Sequence, residues 1–498
     1  MKFIIAAEQS STCSRASAID IDNGYLIRAH SQFDLPVYYP ALGWMEYDPV
    51  EIYSSQTRAI SEAISQANVV ASDISAVGIA NQRGTAVIWD RETGLPIYNA
   101  VARACCRSEE ICRDLKERGL ESFVRDRTGQ IIGTQCAGPK YSWILDHVKG
   151  AREKAQKGRL LCGTIDSWLV YCMTNGAVHI TDYTNASYTM LFNLHTLEWD
   201  KDLCRELSVP IQMLPAVVSS CEQVGTYNID GHEVPIAGIA ADQQAILFGQ
   251  TCFDMGQCKD TYDSDNTILV QTEEKLFLNK KGLVSTIAAG DRSKISYALE
   301  GCVYANGGIL QWLRDEMRFI DDPQDADYFA EKVHDSAGVY IIPHQKEGVP
   351  WWDTSLRGAI IGITQHTNRN CLIRAALESI AYQNYTVIRA IGSVLGQRIS
   401  ELHVDGAIST NSFLMQLQSN ISNIKVIRPA FRDITVLGAA YLAALSVGVA
   451  DRQIIINNYY FGKCFTSSMS EEKRNLYLNG FDKAVRYTDL VTGDCVFG

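Results

Sequence analysis

The sequence lacks the features that mark membrane, secreted or nucleic-acid-binding proteins. No stretch reaches the roughly 18 consecutive apolar residues of a membrane-spanning helix, and the apolar run after Lys2 is too short for the core of a signal peptide. The formal net charge of −12 disfavours nucleic acid as a partner, because an acidic surface repels phosphates. We therefore expect an intracellular, cytoplasmic protein with no cleavable targeting segment, no membrane insertion and no nucleic-acid partner.

Signatures of zinc modules and of dinucleotide-binding domains are also missing. The 15 cysteines are scattered, and none forms a CxxC pair or a Cys/His spacing typical of a zinc site. No GxGxxG fingerprint is present, which argues against an oxidoreductase. We expect the cysteines to be free thiols in a reducing compartment.

The chain is long enough for two domains. A chain of 498 residues exceeds what one hydrophobic core usually serves. The α/β pattern that opens the sequence starts again at about 233–248, in the stretch VPIAGIAADQQAILFGQ. This repeat indicates an internal duplication, with domains at 1–250 and 251–498. No Pro-rich or low-complexity linker separates the halves, so we expect them to pack closely around a cleft.

Local patterns place the first helices, strands and turns. Asp48-Pro49 predicts the start of a helix at about 49–67, because proline is favoured at the first helical position. Two polar turns each join a pair of strand-like segments. One is EQSSTCSR at 8–15, and the other lies within TYDSDNTIL at 261–269, where Asp263 and Asp265 stand in the turn. Two carboxylates in so tight a turn require an explanation.

Six stretches together resemble one enzyme family. They are NQRGTAVIWDRETGLPIYNA (81–100), WILDHVKGARE (143–153), HITDYTNASYTMLFNLHTLEWD (179–200), GIAADQQAILFGQ (238–250), LQWLRDEM (310–317) and DGAISTNSFLMQLQSNI (405–421). In these stretches the sequence is similar to the FGGY carbohydrate kinases, the family that includes glycerol kinase, over almost the whole chain.

The resemblance implies a fold and a reaction. The fold is α/β, with two actin-like (ribonuclease-H-like) ATPase domains and an interdomain cleft. The polyol would bind on the domain at 1–250 and the nucleotide on the domain at 251–498. The reaction would transfer the γ-phosphoryl group of Mg-ATP to a terminal hydroxyl of glycerol. Such a transfer depends on positioning and charge stabilisation more than on covalent catalysis.

On the polyol side, the resemblance assigns the catalytic base to Asp242 in the stretch AADQQ, and it assigns substrate binding to Arg83 and Gln243. Alternatively, or in addition, Asp242 caps the helix that starts there. Other pocket positions differ in chemistry from the family pattern: Gly84 replaces a glutamate, Arg103 a tryptophan, Gln135 a tyrosine and Thr267 a phenylalanine. Without the glutamate, a charge-assisted acceptor for two hydroxyls is lost. We expect Arg103 to fill the pocket, paired with Asp242.

The nucleotide side is altered in a similar way. The positions that match the family in type are Glu8, which would serve Mg²⁺, and Thr12, Arg15, Gly406 and Asn411. The changed positions are Ser10, Asp263, Asp265 and Ala407, each of which the family fills with glycine. Glycine turns cradle phosphates with their backbone N–H groups, whereas carboxylates repel them. One unit-charge pair at about 4 Å costs roughly 4 kcal/mol at an effective dielectric constant of 20.

The distribution of these changes favours one interpretation. Stretches far from the cleft match the family, while the departures gather at the polyol pocket and at both phosphate hairpins. The sequence therefore favours a catalytically impaired pseudoenzyme with weak or lost Mg-ATP binding, kept as a homo-oligomer or as a subunit of a larger assembly. The alternative is an active ATP-dependent glycerol or polyol kinase, and it rests on Asp242, Arg83, Glu8 and Asn411.

Overall fold

The computed structural model describes residues 2–263, 265–278, 282–290, 294–303, 306–343, 358–431 and 433–492. Two large sheets, one from each half of the chain, form the framework, and helices pack against both.

The first sheet is built around a strand that is buried along its whole length. This strand, Phe3–Gln9, pairs antiparallel with Cys13–Asp20 and parallel with Ile74–Asn81. Its sequence FIIAAEQ is apolar for five residues in a row, as expected for a strand covered on both faces. The six strands lie in the order Gln223–Ile229, His232–Ala241, Ile74–Asn81, Phe3–Gln9, Cys13–Asp20 and Leu26–Asp34.

The second sheet repeats this arrangement with seven strands. Cys258–Tyr262 pairs antiparallel with Asn266–Glu273 across the turn that holds Asp263 and Asp265, and parallel with Glu401–Asp405. The predicted strand–turn–strand pattern is therefore confirmed. The strands lie in the order Val284–Ile287, Tyr297–Val303, Asn266–Glu273, Cys258–Tyr262, Glu401–Asp405, Lys425–Pro429 and Phe461–Phe465.

Shorter strands form two-stranded pairs beside these sheets. The pairs are Glu46–Tyr47 with Ala100–Val101, Val87–Asp90 with Leu160–Gly163, Ile180–Asp182 with Ala216–Val218, Phe192–Asn193 with Glu198–Trp199, and Tyr340–Ile342 with Ala359–Ile361. The α-helices of the described residues are Pro49–Ala67, Glu109–Glu117, Glu121–Thr128, Ala137–His147, Ala151–Gln156, Ile165–Met173, Tyr183–Ala186, Lys201–Glu206, Asp242–Gly249, Asn306–Asp315, Ala326–Glu331, Arg369–Leu395, Ser412–Ser422, Ile434–Ser446, Arg452–Asn458 and Glu471–Thr492.

The first long helix begins where the sequence predicts. Pro49 is its first residue, and the carboxylate of Asp48 accepts a hydrogen bond from the backbone N–H of Val50 at 2.8 Å. Proline needs no hydrogen bond there, and the aspartate satisfies one of the N–H groups that a helix start leaves unpaired.

A helix late in the sequence covers the first sheet. Ile434–Ser446 packs on the strands Ile74–Asn81 and His232–Ala241 and on the helix Asp242–Gly249. Small residues allow this close approach: a Cβ atom at Gly238 would lie 2.3 Å from the backbone nitrogen of Ala443. The two halves of the chain thus share a hydrophobic core.

Two further observations concern the class of protein. No helix of the described residues combines the length and the apolar character that crossing a bilayer requires. No disulfide joins the cysteines within the same residues.

Candidate active site

Asp242 stands where a strand of the first sheet turns directly into a helix. His232–Ala241 ends at Ala241, which is the N-cap residue, and Asp242 is the first residue of Asp242–Gly249. The alternative that Asp242 is the capping residue is therefore wrong, although its Oδ1 does accept a hydrogen bond from the N–H of Gln243 at 2.7 Å. Because 31% of the side chain is exposed, the carboxylate remains accessible.

Arg83 links this carboxylate to the second half of the chain. The Nε atom of Arg83 lies 3.4 Å from Oδ1 of Asp242. Its two terminal nitrogens donate to both oxygens of Glu300, at 2.5 and 3.1 Å, and its guanidinium stacks on the ring of Tyr188 at 4.1 Å. Burial raises the pKa of Glu300, but Arg83 outweighs burial and holds it below its usual range. The bidentate pair ties Arg83, in the first half of the chain, to the strand Tyr297–Val303 of the second half.

A buried lysine brings three of the altered pocket positions together. The Nζ atom of Lys140 donates to the carbonyl oxygens of Gly84 at 2.7 Å and of Arg103 and Gln135 at 3.3 Å each. Burial lowers the pKa of Lys140 to about 7. The backbone N–H of Arg103 also donates to the hydroxyl of Thr85 at 3.2 Å. The predicted pairing of Arg103 with Asp242 stays a prediction.

Gly84 is required by the backbone of this pocket. Its φ is +69°, and a Cβ atom there would lie 2.2 Å from the carbonyl oxygen of Gln135. A glutamate at this position would be strained, because left-handed backbone disfavours residues with a side chain. Its Cβ atom would also clash with the neighbouring carbonyl, which Lys140 holds in place. The backbone of this pocket therefore favours a glycine at position 84, and a glutamate side chain there would require the Gln135 carbonyl to move.

Substitution of Gly84 is expected to destabilise the fold. Gly84→Ala and Gly84→Glu should each lower the free energy of unfolding by roughly 1–3 kcal/mol, because the strain begins at the Cβ atom that both share. Chemical denaturation measures the effect. Gly119→Ala is the matched control, since Gly119 has φ +71° but nothing within 4 Å of the added Cβ. Equal losses at the two glycines would show that the Gln135 carbonyl moves aside.

Gln243 and Thr267 are joined by a second buried lysine. The Nζ atom of Lys259 donates to the Oε1 atom of Gln243, to the carbonyl oxygen of Thr267 at 3.1 Å and to the hydroxyl of Thr261 at 2.9 Å. Burial lowers the pKa of Lys259. Lys259 therefore positions the Gln243 amide beside the neighbouring strand.

The first phosphate hairpin is filled by its own serine. The Oγ atom of Ser10 lies 3.0 Å from the backbone nitrogen of Cys13 and 3.3 Å from that of Thr12. These N–H groups are the donors that a glycine hairpin would offer to phosphate. Ser10 is half-buried and Thr12 is exposed. The serine oxygen thus already accepts from two backbone N–H groups of this hairpin, and its predicted role in nucleotide binding stays a prediction.

Glu8, beside the same hairpin, is a buried carboxyl group with one close cation. Burial raises the pKa of Glu8 to about 7, while Arg15, at 3.5 Å, opposes the rise and Asp433 and Asp242 add to it. Because the folded-state pKa is raised, the folded protein holds a proton that the unfolded chain releases above about pH 4.5. Stability should therefore fall as the pH rises from about 4.5 to about 7.

Replacing Glu8 with glutamine isolates this effect. Glu8→Gln is expected to raise the free energy of unfolding at pH 8 by roughly 1–3 kcal/mol relative to the unmodified protein, with little difference at pH 4.5. Urea denaturation across this pH range measures the difference, and exposed Glu62→Gln is the control. A constant difference at every pH would show that Glu8 is already ionised in the folded protein.

The second phosphate hairpin is tied to the loop that follows Glu401–Asp405. Asp263 is exposed, and its Oδ1 atom accepts a hydrogen bond from the backbone N–H of Ala407 at 3.0 Å; Asp265 is half-buried. Two altered positions, 144 residues apart, thus contact each other. Gly406 has φ +88°, and a Cβ atom there would lie 2.5 Å from the carbonyl oxygen of Tyr262. Gly406 is therefore required by the close approach of these two loops.

Asn411 has a structural role in the same region. Its Oδ1 atom caps the helix Ser412–Ser422 by accepting from the N–H of Leu414 at 2.8 Å. Its predicted role in nucleotide binding stays a prediction.

Carboxylates from both halves converge between the hairpins. Burial raises the pKa of Asp405 to about 7, with Lys259 opposing and Asp263 and Asp242 adding to the rise. Asp242 is thus within electrostatic reach of both Glu8 and Asp405. Among the described residues, no group of three or more His, Cys, Asp or Glu side chains is close enough to hold a metal ion unaided.

Glu300, Lys140, Lys259 and Tyr188 were not predicted from the sequence. Charged residues are almost never fully buried unless they are paired. Glu300 is the one charged residue of the otherwise apolar strand YALEGCV and carries this signal in the sequence, whereas Lys259 stands among polar residues in the strand CKDTY. The signal marks burial, but it does not name the partner.

Comparisons with known proteins agree in family and fold. Models of the FGGY family of carbohydrate kinases match residues 3–249 with the N-terminal domain and residues 261–447 with the C-terminal domain. A glycerol kinase of Clostridium perfringens is 48% identical over 490 residues, which are 97% of this chain and 98% of that protein. A glycerol kinase of Vibrio cholerae is 45% identical over 490 residues, with 97% of each chain covered.

Solved structures extend this likeness. The crystal structure of Plasmodium falciparum glycerol kinase with ADP has a TM-score of 0.92 at 31% identity and covers 98% of both chains. The xylulose kinase of Lactobacillus acidophilus has a TM-score of 0.87 at 21% identity, covers 99% of both chains and supports the fold alone. The predicted α/β fold with two actin-like, ribonuclease-H-like domains is confirmed.

Proposed function

Because the chain belongs to the FGGY family of carbohydrate kinases, we propose that it is an active kinase that transfers the γ-phosphoryl group of ATP to a hydroxyl of a small polyol. Identity of 45–48% to glycerol kinases over 97% of the chain favours this alternative over the impaired pseudoenzyme that the sequence analysis expects. The altered residues then change the substrate and the affinity for nucleotide without abolishing the reaction.

The observation that carries the proposal is the arrangement of Asp242, Arg83 and Glu300. A hydroxyl that attacks a phosphoryl group needs a proton acceptor nearby and a donor that fixes its oxygen. Asp242 supplies an accessible carboxylate, and the Arg83 Nε atom lies 3.4 Å from it. Because Glu300 holds both terminal nitrogens of Arg83, the guanidinium is oriented before substrate arrives. A base and a donor are therefore preorganised together.

Mg-ATP fits the charges of the cleft better than free ATP does. The donor set between the hairpins consists of carboxylate oxygens, which suit Mg²⁺ and repel a bare triphosphate. Glu8 would hold the ion, because it offers a carboxylate beside the first hairpin and lies within electrostatic reach of Asp242. When bound, Mg-ATP supplies the phosphoryl group, and the metal neutralises charge on the phosphates.

The direct test is turnover by the purified chain. Mg-ATP is supplied with glycerol and with other three- to five-carbon polyols, and phosphorylated product is identified by mass spectrometry. Product that depends on both ATP and polyol supports the proposal. ADP release without polyol, or no product with any polyol from a folded protein, would refute it.

A second candidate function has its own support. Ser10 already occupies a backbone donor of the first hairpin, and Asp263, in the second, occupies the backbone N–H of Ala407. With these donors occupied, the chain would bind nucleotide weakly and serve a structural or binding role, as a homo-oligomer or as a subunit of a larger assembly. The two candidates differ in whether an Mg-ATP titration raises the melting temperature, because only a binding ligand stabilises the folded state.

A further inference from the structure

We infer that residues 182–185 form a positioning element for the reaction, in which Thr184 fixes the backbone that carries Asp242 and Asn185 fixes the backbone that leads to Arg83. The side chains of Thr184 and Asn185 are fully buried, so they act through the ends of two strands and not on the substrate itself. The inference rests on the proposed function and adds two residues that decide where the base and the guanidinium stand.

The base and the guanidinium follow the ends of neighbouring strands. The strands that end at Ala241 and Asn81 pair in parallel, and these two residues lie opposite each other. Asp242 comes directly after the first strand, and Arg83 comes two residues after the second. A shift of either strand end therefore changes the distance between the two side chains, and a displacement of about 1 Å in a reactive site can cost roughly 10²-fold in rate.

The hydroxyl of Thr184 holds the end of the first strand. Its Oγ1 atom accepts a hydrogen bond from the backbone N–H of Ala241 at 2.8 Å. The single hydrogen of this hydroxyl is directed to the carboxylate of Asp182, whose two oxygens lie at 2.8 and 2.9 Å. The hydroxyl therefore meets Ala241 as an acceptor, and its removal would leave a buried backbone N–H without that partner.

Asn185 holds the end of the second strand through a reciprocal amide pair. Its Nδ2 atom donates to Oδ1 of Asn81 at 3.0 Å, and its Oδ1 atom accepts from Nδ2 of Asn81 at 2.9 Å. The same Nδ2 atom of Asn81 donates to the carbonyl oxygen of Gln82 at 3.0 Å. The pair thus reaches the peptide bond directly before Arg83.

One buried carboxylate, that of Asp182, anchors both side chains. It accepts from the backbone N–H groups of Thr184 and Asn185 at 3.0 and 2.9 Å. It also accepts from Nδ2 of Asn185 at 2.9 Å and from the hydroxyl of Ser220 at 2.7 Å. Burial raises the pKa of Asp182, and these hydrogen bonds oppose the rise. Because Thr184 and Asn185 share this anchor, they set the two strand ends relative to each other.

Two substitutions of Thr184 test the role of its hydroxyl. Thr184→Val keeps the shape but removes the hydroxyl, and we expect it to lower the turnover number roughly 10–100-fold, whereas Thr184→Ser should retain most of it. Initial rates at saturating Mg-ATP and polyol measure both. Thr174→Val is the matched control, because the Thr174 hydroxyl also accepts from a backbone N–H, that of Val178 at 3.2 Å. An equal loss in Thr184→Ser, or an undiminished rate in Thr184→Val, would overturn the assignment.

A combined variant separates positioning from general damage to the fold. In a chain that already carries Asp242→Asn, Thr184→Val should lower the remaining rate by less than about 2-fold, because residues that act through one group are not additive. The same fold-loss with and without Asp242→Asn would mean that Thr184 only supports the structure, and would overturn the inference.

Asn185→Ala tests the other strand end and does not depend on the folding of Thr184→Val. We expect it to raise KM for the polyol roughly 10-fold, a larger effect than on the turnover number, because the backbone before Arg83 loses its support. An unchanged KM would overturn the role assigned to Asn185.

Hydrogen exchange followed by mass spectrometry tests the link to Asp242 without turnover. The peptide 238–250 should exchange faster in Thr184→Val than in the unmodified protein, since the N–H of Ala241 loses its acceptor, and Thr174→Val should leave this peptide unchanged. Unchanged exchange in Thr184→Val would overturn the inference whatever the protein catalyses. Faster exchange, in a chain whose unmodified form phosphorylates no polyol, would refute the proposed function and leave the structural link in place.

Discussion

Replacing Asp242 with asparagine is expected to lower the turnover number by a factor of roughly 10²–10⁴, the usual contribution of a positioned general base. Asparagine has the same shape and keeps an oxygen for the Gln243 N–H bond at the helix start. Arg83 retains its bidentate pair with Glu300, so no buried charge loses its main partner. The loss therefore reports proton acceptance and not a collapsed pocket.

Initial rates at saturating Mg-ATP and polyol measure this effect, and KM for the polyol should change far less than the turnover number. Asp230→Asn is a matched control, because Asp230 lies in an exposed turn with φ +48°, a conformation that asparagine also adopts readily. If Asp242→Asn turns over as fast as the unmodified protein, another group accepts the proton. If all three proteins lack activity, the second candidate function is the better account.

Local signals allowed the scaffold to be predicted from the sequence. The helix Pro49–Ala67 and the strands on both sides of each polar turn depend on neighbours within a few residues, such as Asp48 capping Val50. Periodicity and capping are properties of the sequence itself, so they can be read without the fold. The same applies to the placement of Asp242 at a strand–helix junction.

The contacts that decide the chemistry could not be predicted in this way. Glu300 lies 217 residues from Arg83, and Lys140 joins Gly84 and Arg103 from a third segment. Such pairings depend on how distant segments pack, and any buried cation in the sequence has several candidate partners. Resemblance identified which positions had changed, but it did not show that Gly84 is now required by the carbonyl of Gln135.

Replacing both Asp263 and Asp265 with glycine is expected to increase the affinity for Mg-ATP by a factor of roughly 10–10³. One unfavourable unit-charge pair at about 4 Å is worth roughly 4 kcal/mol at an effective dielectric constant of 20, and screening reduces this for an exposed carboxylate such as Asp263. The Asp263 change also releases the N–H of Ala407, which the carboxylate now occupies at 3.0 Å. The gain should be larger for ATP than for ADP, since the extra phosphate adds negative charge.

Single variants separate these two causes. Asp263→Asn removes the charge but keeps an oxygen for the Ala407 N–H, so it should recover the electrostatic part alone, whereas Asp263→Gly recovers both. Asp265→Gly reports the half-buried carboxylate by itself. Calorimetric titration with Mg-ATP and Mg-ADP measures each step. A fall in Mg-ATP affinity in the double variant would contradict this prediction. It would mean that the two carboxylates bind a cation that in turn holds the phosphates. The hairpin would then bind phosphate through a metal ion and would not be blocked by charge.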